Sequence, residues 1–159
     1  MRRLTIRPGA IGDFIVSLPA LECLQSDYHE VWAASANVPL VRFADRVRSI
    51  ASTGVDLLAV SEPPPMLIDA LRGFDSIVSW YGTNNPEFRR VVEELGLPFR
   101  SLSALPGGSR HAVDFYNAQA RQSGAEPLSR FPRMAKCWPQ PEKATSLVSS
   151  CGTCRMVDF

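Results

Sequence analysis

Short apolar runs alternate with amphipathic stretches over residues 1–132, and glycine or proline stands between many of them. Runs rich in β-branched and aromatic residues predict strands at residues 4–6, 30–34, 76–81 and 98–102, with weaker strands at 47–51 and 55–60. Helical spacing and end signals predict helices at residues 14–24, 38–44, 66–72, 86–95 and 111–123. Strands separated by helices imply βαβ units, so we expect an α/β fold with a largely parallel sheet.

The best-defined helix follows the strand at residues 76–81. Asn85 suits its N-cap, and Pro86 suits its first position because the N–H that proline lacks has no partner there. The apolar residues of this segment then recur at helical spacing before Gly96, at Phe88, Val91, Val92 and Leu95.

The stretch RPGAIGD at residues 7–13 joins the first strand to the first helix. Gly9 and Gly12 allow backbone angles that a Cβ would forbid, and they let a ligand come close to the backbone. Asp13 is expected at or near the N-cap, where its carboxylate can accept backbone N–H groups and meets the positive end of the helix dipole. Most acids in such a position are only caps, so this pattern alone does not make Asp13 catalytic.

The same turn lacks the glycine patterns of nucleotide-binding loops. A dinucleotide-binding fold needs G-x-G-x-x-G and an acidic residue about 20 positions later, whereas only Gly9-x-x-Gly12 is present. The turn also lacks the Gly-Lys-Ser or Gly-Lys-Thr of a P-loop. We therefore do not expect this turn to bind a nucleotide.

Ligands of open parallel sheets bind beyond the carboxyl ends of the strands. The loops at residues 9–13, 82–85 and 106–110 lie at such ends, so we expect them to line one edge of the sheet. Thr83 and Asn84 are candidate ligand-binding residues there, although helix capping is the simpler role for this segment. Loop flexibility equally explains the glycine pair at 107–108.

Three further residues are candidates for binding an anionic ligand. Arg7 ends the first strand, where its guanidinium could grip a carboxylate or phosphate, or could simply extend its charge into solvent. His111 and Asp114 lie three apart, so on a helix they share a face, where they could hydrogen-bond, meet a common ligand or form a solvent-exposed pair. No third ligand for a metal is evident, so no metal site is expected.

Composition narrows the function classes. Hydrophobic residues make up 45% and charged residues 21% of the chain, which suffices for a core, and a net charge of +1 argues against nucleic-acid binding. The first apolar run is too short for a signal peptide, and none approaches the ~20 residues of a membrane span. The pair Cys151-x-x-Cys154, even with Cys137, lacks the second pair usual in a zinc site, so a tail without function is the simpler interpretation.

The string RPGAIGDFIVSLPALECL resembles the start of the ADP-heptose:lipopolysaccharide heptosyltransferase family of glycosyltransferases. In that family a basic residue ends the first strand, Gly-Asp follows a short loop, and Leu-Pro-Ala-Leu comes shortly after. The matching positions here are Arg7, Gly12-Asp13 and residues 18–21. Residues 85–96 (NPEFRRVVEELG) and 111–116 (HAVDFY) extend the resemblance, which runs to about Pro132.

The resemblance implies a Rossmann-like parallel sheet with helices on both faces, the N-terminal domain of a GT-B glycosyltransferase. Residues 1–132 would form this acceptor-side domain. Residues 133–159 would form an irregular tail, for which a shift of reading frame is one hypothesis. The donor-binding domain would then be absent from this chain or supplied by another one.

The resemblance also implies a reaction, in which Asp13 is the general base. A sugar passes from a nucleotide-diphosphate sugar, which is a donor substrate and not a cofactor, to an anionic glycolipid or saccharide acceptor of the lipopolysaccharide type. The implied substrate-binding residues are Arg7, Gly9, Ala10, Ile11, Gly12, Thr83, Asn84, His111 and Asp114. The implied location is the cytoplasm, at the surface of the inner membrane, and the isolated chain is expected to be nearly inactive.

Two other functions stay open. The chain could be a stand-alone acceptor-binding module or a remnant without activity. It could also be a small flavodoxin-like nucleotide-binding protein, which the missing phosphate loop disfavours.

Overall fold

The computed structural model of the chain describes residues 1–60, 63–106 and 111–125. Within these ranges the strands are β1 Arg2–Arg7, β2 Tyr28–Ala33, β3 Arg46–Ser49, β4 Ser76–Ser79 and β5 Phe99–Ser101. The α-helices are α1 Ile11–Cys23, α2 Pro65–Arg72, α3 Pro86–Glu94 and α4 Ala112–Gln122. Short 3₁₀ helices lie at Ser35–Leu40, Ile50–Ser52 and Val55–Ala59.

The strands of the described part form one parallel sheet in the order β3-β2-β1-β4-β5. The central strand β1 pairs along its whole length with β2, from Arg2 opposite Tyr28 to Arg7 opposite Ala33. On its other side β1 pairs with β4, from Arg3 opposite Ser76 to Ile6 opposite Ser79. This is the strand order of a Rossmann sheet, and it confirms the predicted α/β fold.

Helices cover both faces of the sheet because alternate strand residues point in opposite directions. Leu4, Ile6 and Ile77 belong to the apolar cluster with α2 and α3, whereas Val31 and Val78 belong to the cluster with α1 and α4. The handedness of the crossover connections determines which face each helix covers. Connections from β1 toward β2 and β3 run one way across the sheet, and those toward β4 and β5 run the other way. Right-handed crossovers in opposite directions place their helices on opposite faces.

Two predicted elements are wrong in type. Residues 55–60, predicted as a strand, contain the 3₁₀ helix Val55–Ala59, in which the buried Val55 and Leu58 lie three apart and so on one side of a 3₁₀ turn. The helix predicted at residues 38–44 is replaced by the 3₁₀ helix Ser35–Leu40. Asn37, which precedes the predicted helix in the sequence, lies inside the 3₁₀ helix, and its amide bonds to another loop.

The other predicted elements are present with ends shifted by up to a few residues. The predicted cap of α3 is confirmed, because the Asn85 side chain accepts from the N–H groups of Glu87 and Phe88. The predicted domain end at 132, the tail at 133–159 with its cysteines, and the glycine pair at 107–108 lie outside the described residues.

Candidate functional site: the carboxyl edge of β1 and β4

The sheet reverses its winding direction between β1 and β4. The chain leaves β1 through α1 toward β2, and it leaves β4 through α3 toward β5. Because the two connections diverge, a crevice opens between the loops at the carboxyl ends of these strands, which is the usual ligand site of such folds. The predicted loops at 9–13 and 82–85 both lie at this edge.

The turn between β1 and α1 comprises residues 8–10 and is shorter than predicted, because α1 already begins at Ile11. Gly9 has a φ of 123°, which only glycine adopts readily, and an added Cβ would lie 3.6 Å from Nη1 of Arg7. Gly12 is not part of the turn, since it lies within α1 and an added Cβ would meet nothing within 4 Å. The expectation that both glycines supply special backbone angles is therefore right for Gly9 and wrong for Gly12.

Asp13 lies near the N-cap of the first helix, as predicted, but the expectation that its carboxylate caps the helix is wrong. The N-cap is Ala10, whose carbonyl accepts the N–H of Phe14 at 3.0 Å, and no side chain caps this helix. Since α1 begins at Ile11, Asp13 is its third residue and lies in the first turn with its side chain exposed. The carboxylate still lies at the positive end of the helix dipole, and none of the local backbone N–H groups is tied to it as a cap.

Arg7 is buried, with only 2% of its surface exposed, so the expectation of a charge extended into solvent is wrong. Its guanidinium donates to the carbonyls of Pro8 and Asp13 at 3.0 and 3.3 Å, and to Oγ of Ser17 at 3.2 Å. It also donates to the Tyr116 hydroxyl at 2.8 Å. Burial lowers the pKa of Arg7, while the nearby Tyr116 and Asp13 oppose that shift.

Tyr116 connects this turn to the loop that follows β5. Its hydroxyl accepts from Arg7 and donates to the carbonyl of Ala104, both at 2.8 Å. The ring lies edge-on to Trp80, and the Arg7 guanidinium carbon is 4.8 Å from the Tyr116 ring centre, within cation–π range. Burial is the main reason that the pKa of Tyr116 is raised.

Asn37 supports the turn from the side of β2. Its amide nitrogen donates to the carbonyl of Gly9 at 3.0 Å, and the residue is 1% exposed. Its Oδ1 is buried without a hydrogen-bond partner among the described residues. The bond fixes the peptide that leads into α1.

The loop after β4 borders a cavity of about 410 Å³. Thr83 donates to the carbonyl of Leu102 at 2.9 Å and so ties this loop to the end of β5, while the exposed Asn84 faces the cavity. The cavity is lined by Trp80, Tyr81, Gly82, Thr83, Asn84, Asn85 and Ala104. Trp80 and Ala104 both contact Tyr116, so the cavity adjoins the Arg7 network.

The helix predicted at residues 111–123 begins one residue later, at Ala112, so His111 precedes it. His111 is the N-cap of α4, with extended backbone angles, and its Nδ1 accepts the N–H of Val113 at 3.4 Å. Asp114 lies in the first turn of α4 and is half-buried. A ligand-binding role for either residue stays a prediction.

The structure thus brings Arg7, Gly9 and Asp13 together, with Thr83 and Asn84 across the crevice. Sequence reasoning missed the residues that hold the turn, namely Ser17, Asn37 and Tyr116. Each of these residues lies in a segment whose sequence is typical of an ordinary helix or loop, and no local spacing distinguishes it.

The described residues contain no cluster of three or more His, Cys, Asp or Glu side chains that could hold a metal ion. No helix in the described ranges is long and apolar enough to cross a membrane.

The comparisons with known proteins bear on the fold. No protein-family model matches the sequence, and no curated protein matches it either. Among solved structures, the chain is similar to E. coli heptosyltransferase WaaC with ADP-2-deoxy-2-fluoro heptose, at 17% identity and a TM-score of 0.50 over 81% of this chain. E. coli heptosyltransferase WaaC with ADP also matches, at 16% identity and a TM-score of 0.46 over 88% of this chain.

In both matches the chain spans 50% of the heptosyltransferase. The predicted fold class is confirmed: the chain folds as a Rossmann-like α/β domain similar to half of E. coli heptosyltransferase WaaC.

Proposed function

We propose that this chain is the acceptor-side half of a GT-B sugar transferase and that Asp13 is its general base. The observation that carries the proposal is the exposed Asp13 carboxylate at the switch point of the sheet, on a turn fixed by buried side chains. A base must reach the proton that it removes, and ligands of this fold enter at that crevice.

The proposed reaction is an inverting glycosyl transfer. The acceptor hydroxyl oxygen attacks the anomeric carbon of a nucleotide-diphosphate sugar, the bond from that carbon to the diphosphate breaks, and the hydroxyl proton passes to Asp13. A carboxylate is a far weaker base than an alkoxide, so proton transfer accompanies formation of the new C–O bond. Charge on the departing diphosphate needs cationic or N–H donors, which the proposal assigns to a second, donor-binding half.

The proposed acceptor is an anionic saccharide or glycolipid of the lipopolysaccharide type. It would occupy the cavity beside Asn84, near the turn at Gly9, Ala10, Ile11 and Gly12, with His111 and Asp114 at the start of α4. The donor-binding half would come from a continuation of the protein or from another chain. We assign the reaction to the cytoplasmic side of the inner membrane, where a glycolipid acceptor is available.

The first experiment is a titration of the isotope-labelled full chain with a deacylated lipopolysaccharide core saccharide, followed by NMR. Saturable shifts at residues 9–13 and 82–85 are expected. FMN and ADP serve as comparison ligands, because a flavodoxin-like protein would bind one of them instead. Absence of saturable saccharide binding, or binding at a different face, would overturn the proposal.

The second experiment tests the role of Asp13. The chain is combined with the donor-binding half of E. coli WaaC, and sugar transfer is measured for the wild type, Asp13→Asn and Asp69→Asn. Asp13→Asn is expected to lower kcat about 10²–10⁴-fold while saccharide binding persists. Asp69, an exposed acid on α2, is the matched control. A kcat for Asp13→Asn equal to that of the wild type would remove Asp13 from the mechanism. Binding by the chain with no turnover in any combination would instead favour an acceptor-binding module.

A further inference from the structure

The Arg7 guanidinium is a charged group that is costly to bury. It is 2% exposed, and no carboxylate of the described residues lies within ion-pair distance of it. Removing a charge from water without a counter-ion is unfavourable unless hydrogen bonds replace the lost water. Four bonds from Arg7, to Pro8, Asp13, Ser17 and Tyr116, replace it here.

These bonds join the two ends of residues 8–13, which comprise the turn and the first three residues of α1 and are named the Asp13 turn. Nη1 binds the carbonyl of Pro8 at the start of this segment, and Nη2 binds the carbonyl of Asp13 at its end. Between these points, Asn37 holds the carbonyl of Gly9. In a trans peptide the N–H points opposite to the carbonyl, so fixing these carbonyls also fixes the direction of the following N–H groups.

The planar guanidinium requires its own support to act in this way. Nη2 is shared between the Asp13 carbonyl and the Tyr116 hydroxyl, which in turn is held by the carbonyl of Ala104. Tyr116 lies 109 positions from Arg7 in the sequence, on α4. The position of the turn therefore depends on the docking of α4 against α1.

We propose that Arg7 is a positioning residue, which with Tyr116 and Asn37 holds the Asp13 turn rigid, and that it does not bind the acceptor. This inference rests on the proposed function, because the role of the rigid turn is to place the base. It replaces the expectation that Arg7 grips an anionic group, because four guanidinium N–H groups already donate within the protein. A base placed by a rigid turn loses little freedom when the acceptor binds.

The variant that tests the inference is Tyr116→Phe, which removes the hydroxyl and keeps the buried ring. Gln119→Met is the matched control. Gln119 lies on the same helix, accepts from the Trp80 indole and donates to the carbonyl of Ser103, next to the partner of Tyr116, but no hydrogen bond joins it to Arg7. Arg7→Lys keeps the charge and loses the planar fork. Thermal unfolding of each variant reports its general loss of stability.

Backbone ¹⁵N relaxation of residues 9–13 is the first measurement, and it needs no ligand. The wild type and Gln119→Met are expected to have order parameters near 0.85, whereas Tyr116→Phe and Arg7→Lys fall toward about 0.6. Wild-type order parameters in Tyr116→Phe would overturn the inference, even if Arg7→Lys fails to fold. An equal loss of order in Gln119→Met would also overturn it, because the effect would then be general.

Saccharide affinity is the second measurement. Tyr116→Phe should weaken binding about 10-fold, which is the cost of ordering a loosened turn, while Gln119→Met binds as the wild type does. Unchanged affinity in Tyr116→Phe with a disordered turn would contradict the positioning role. Failure of the wild type to bind saccharide would instead overturn the proposed function, and the relaxation data would still decide whether Arg7 holds the turn.

Discussion

Replacing Gly82 by alanine should destabilise the fold strongly through one buried ring. Gly82 follows β4 with a φ of 70°, in the left-handed region. A Cβ there would lie 2.3 Å from Cδ1 of Phe88 and 2.6 Å from its Cγ. Phe88 is 1% exposed and packs edge-on to Tyr81 and Phe99, with ring centres 5.5 and 5.9 Å away, so a shift of its ring disturbs these two contacts.

Two costs add in this variant. A non-glycine residue in the left-handed conformation costs about 1–2 kcal/mol. Overpacking a well-filled core costs typically about 1–3 kcal/mol more. The expected loss in free energy of unfolding is therefore about 2–5 kcal/mol, a large part of the ~5–15 kcal/mol that stabilises a typical domain.

Two other glycines separate these costs. Gly96 has a φ of 61° and an added Cβ would meet nothing within 4 Å, so Gly96→Ala should show the conformational cost alone. Gly12 is helical and equally open, so Gly12→Ala should stabilise the protein by roughly 0.5–1 kcal/mol. Urea unfolding followed by far-UV circular dichroism measures all three variants, and the slope with urea should not change.

The order of stabilities is the decisive result. We expect Gly12→Ala to be the most stable and Gly82→Ala the least, with a gap of about 1–3 kcal/mol between Gly82→Ala and Gly96→Ala. Equal stabilities for those two variants would refute the argument, since the Phe88 contact would then carry no cost.

Three further predictions concern stability. Burial, aided by Arg3, lowers the pKa of His29 from 6.5 to about 4, so the stabilising effect of neutral His29 is complete above pH 6.5 and is lost as the pH falls toward 4. The free energy of unfolding measured in urea should therefore be about 3 kcal/mol lower at pH 4 than at pH 7 because of His29. The same dependence on pH in His29→Gln as in the wild type would contradict this prediction. Asn85→Ala should cost about 1 kcal/mol because two N–H groups of α3 lose their cap, and Asn84→Ala, at an exposed neighbour, should cost almost nothing in the same assay. Leu71→Ala, at a fully buried site, should lower the free energy of unfolding by about 2–5 kcal/mol, and a loss below 1 kcal/mol would mean that the site is not tightly packed.

Local patterns were sufficient for most of the fold. The strand β4 and the helix α3 were predicted because apolar spacing and the cap at Asn85 act within a few residues of each other. The edge at which the loops meet followed from the parallel sheet, since all strands of such a sheet end on the same side. The helix start at Ile11 was missed because one glycine, Gly9, sufficed for the turn, and the 3₁₀ helix at Val55–Ala59 was missed because short apolar runs suit either geometry.

The sequence by itself determined the alternation of strands and helices, the resemblance carried by RPGAIGD, and the placement of Asp13 beyond the first strand. Those features depend on periodicity and turn chemistry, which neighbouring residues fix. Only the tertiary structure decided that Arg7 is buried, that Tyr116 and Asn37 hold the turn, and that Asp13 lies inside the helix. The partners of a buried guanidinium are chosen by how helices pack on the sheet, and no local pattern records a contact between residues 109 positions apart.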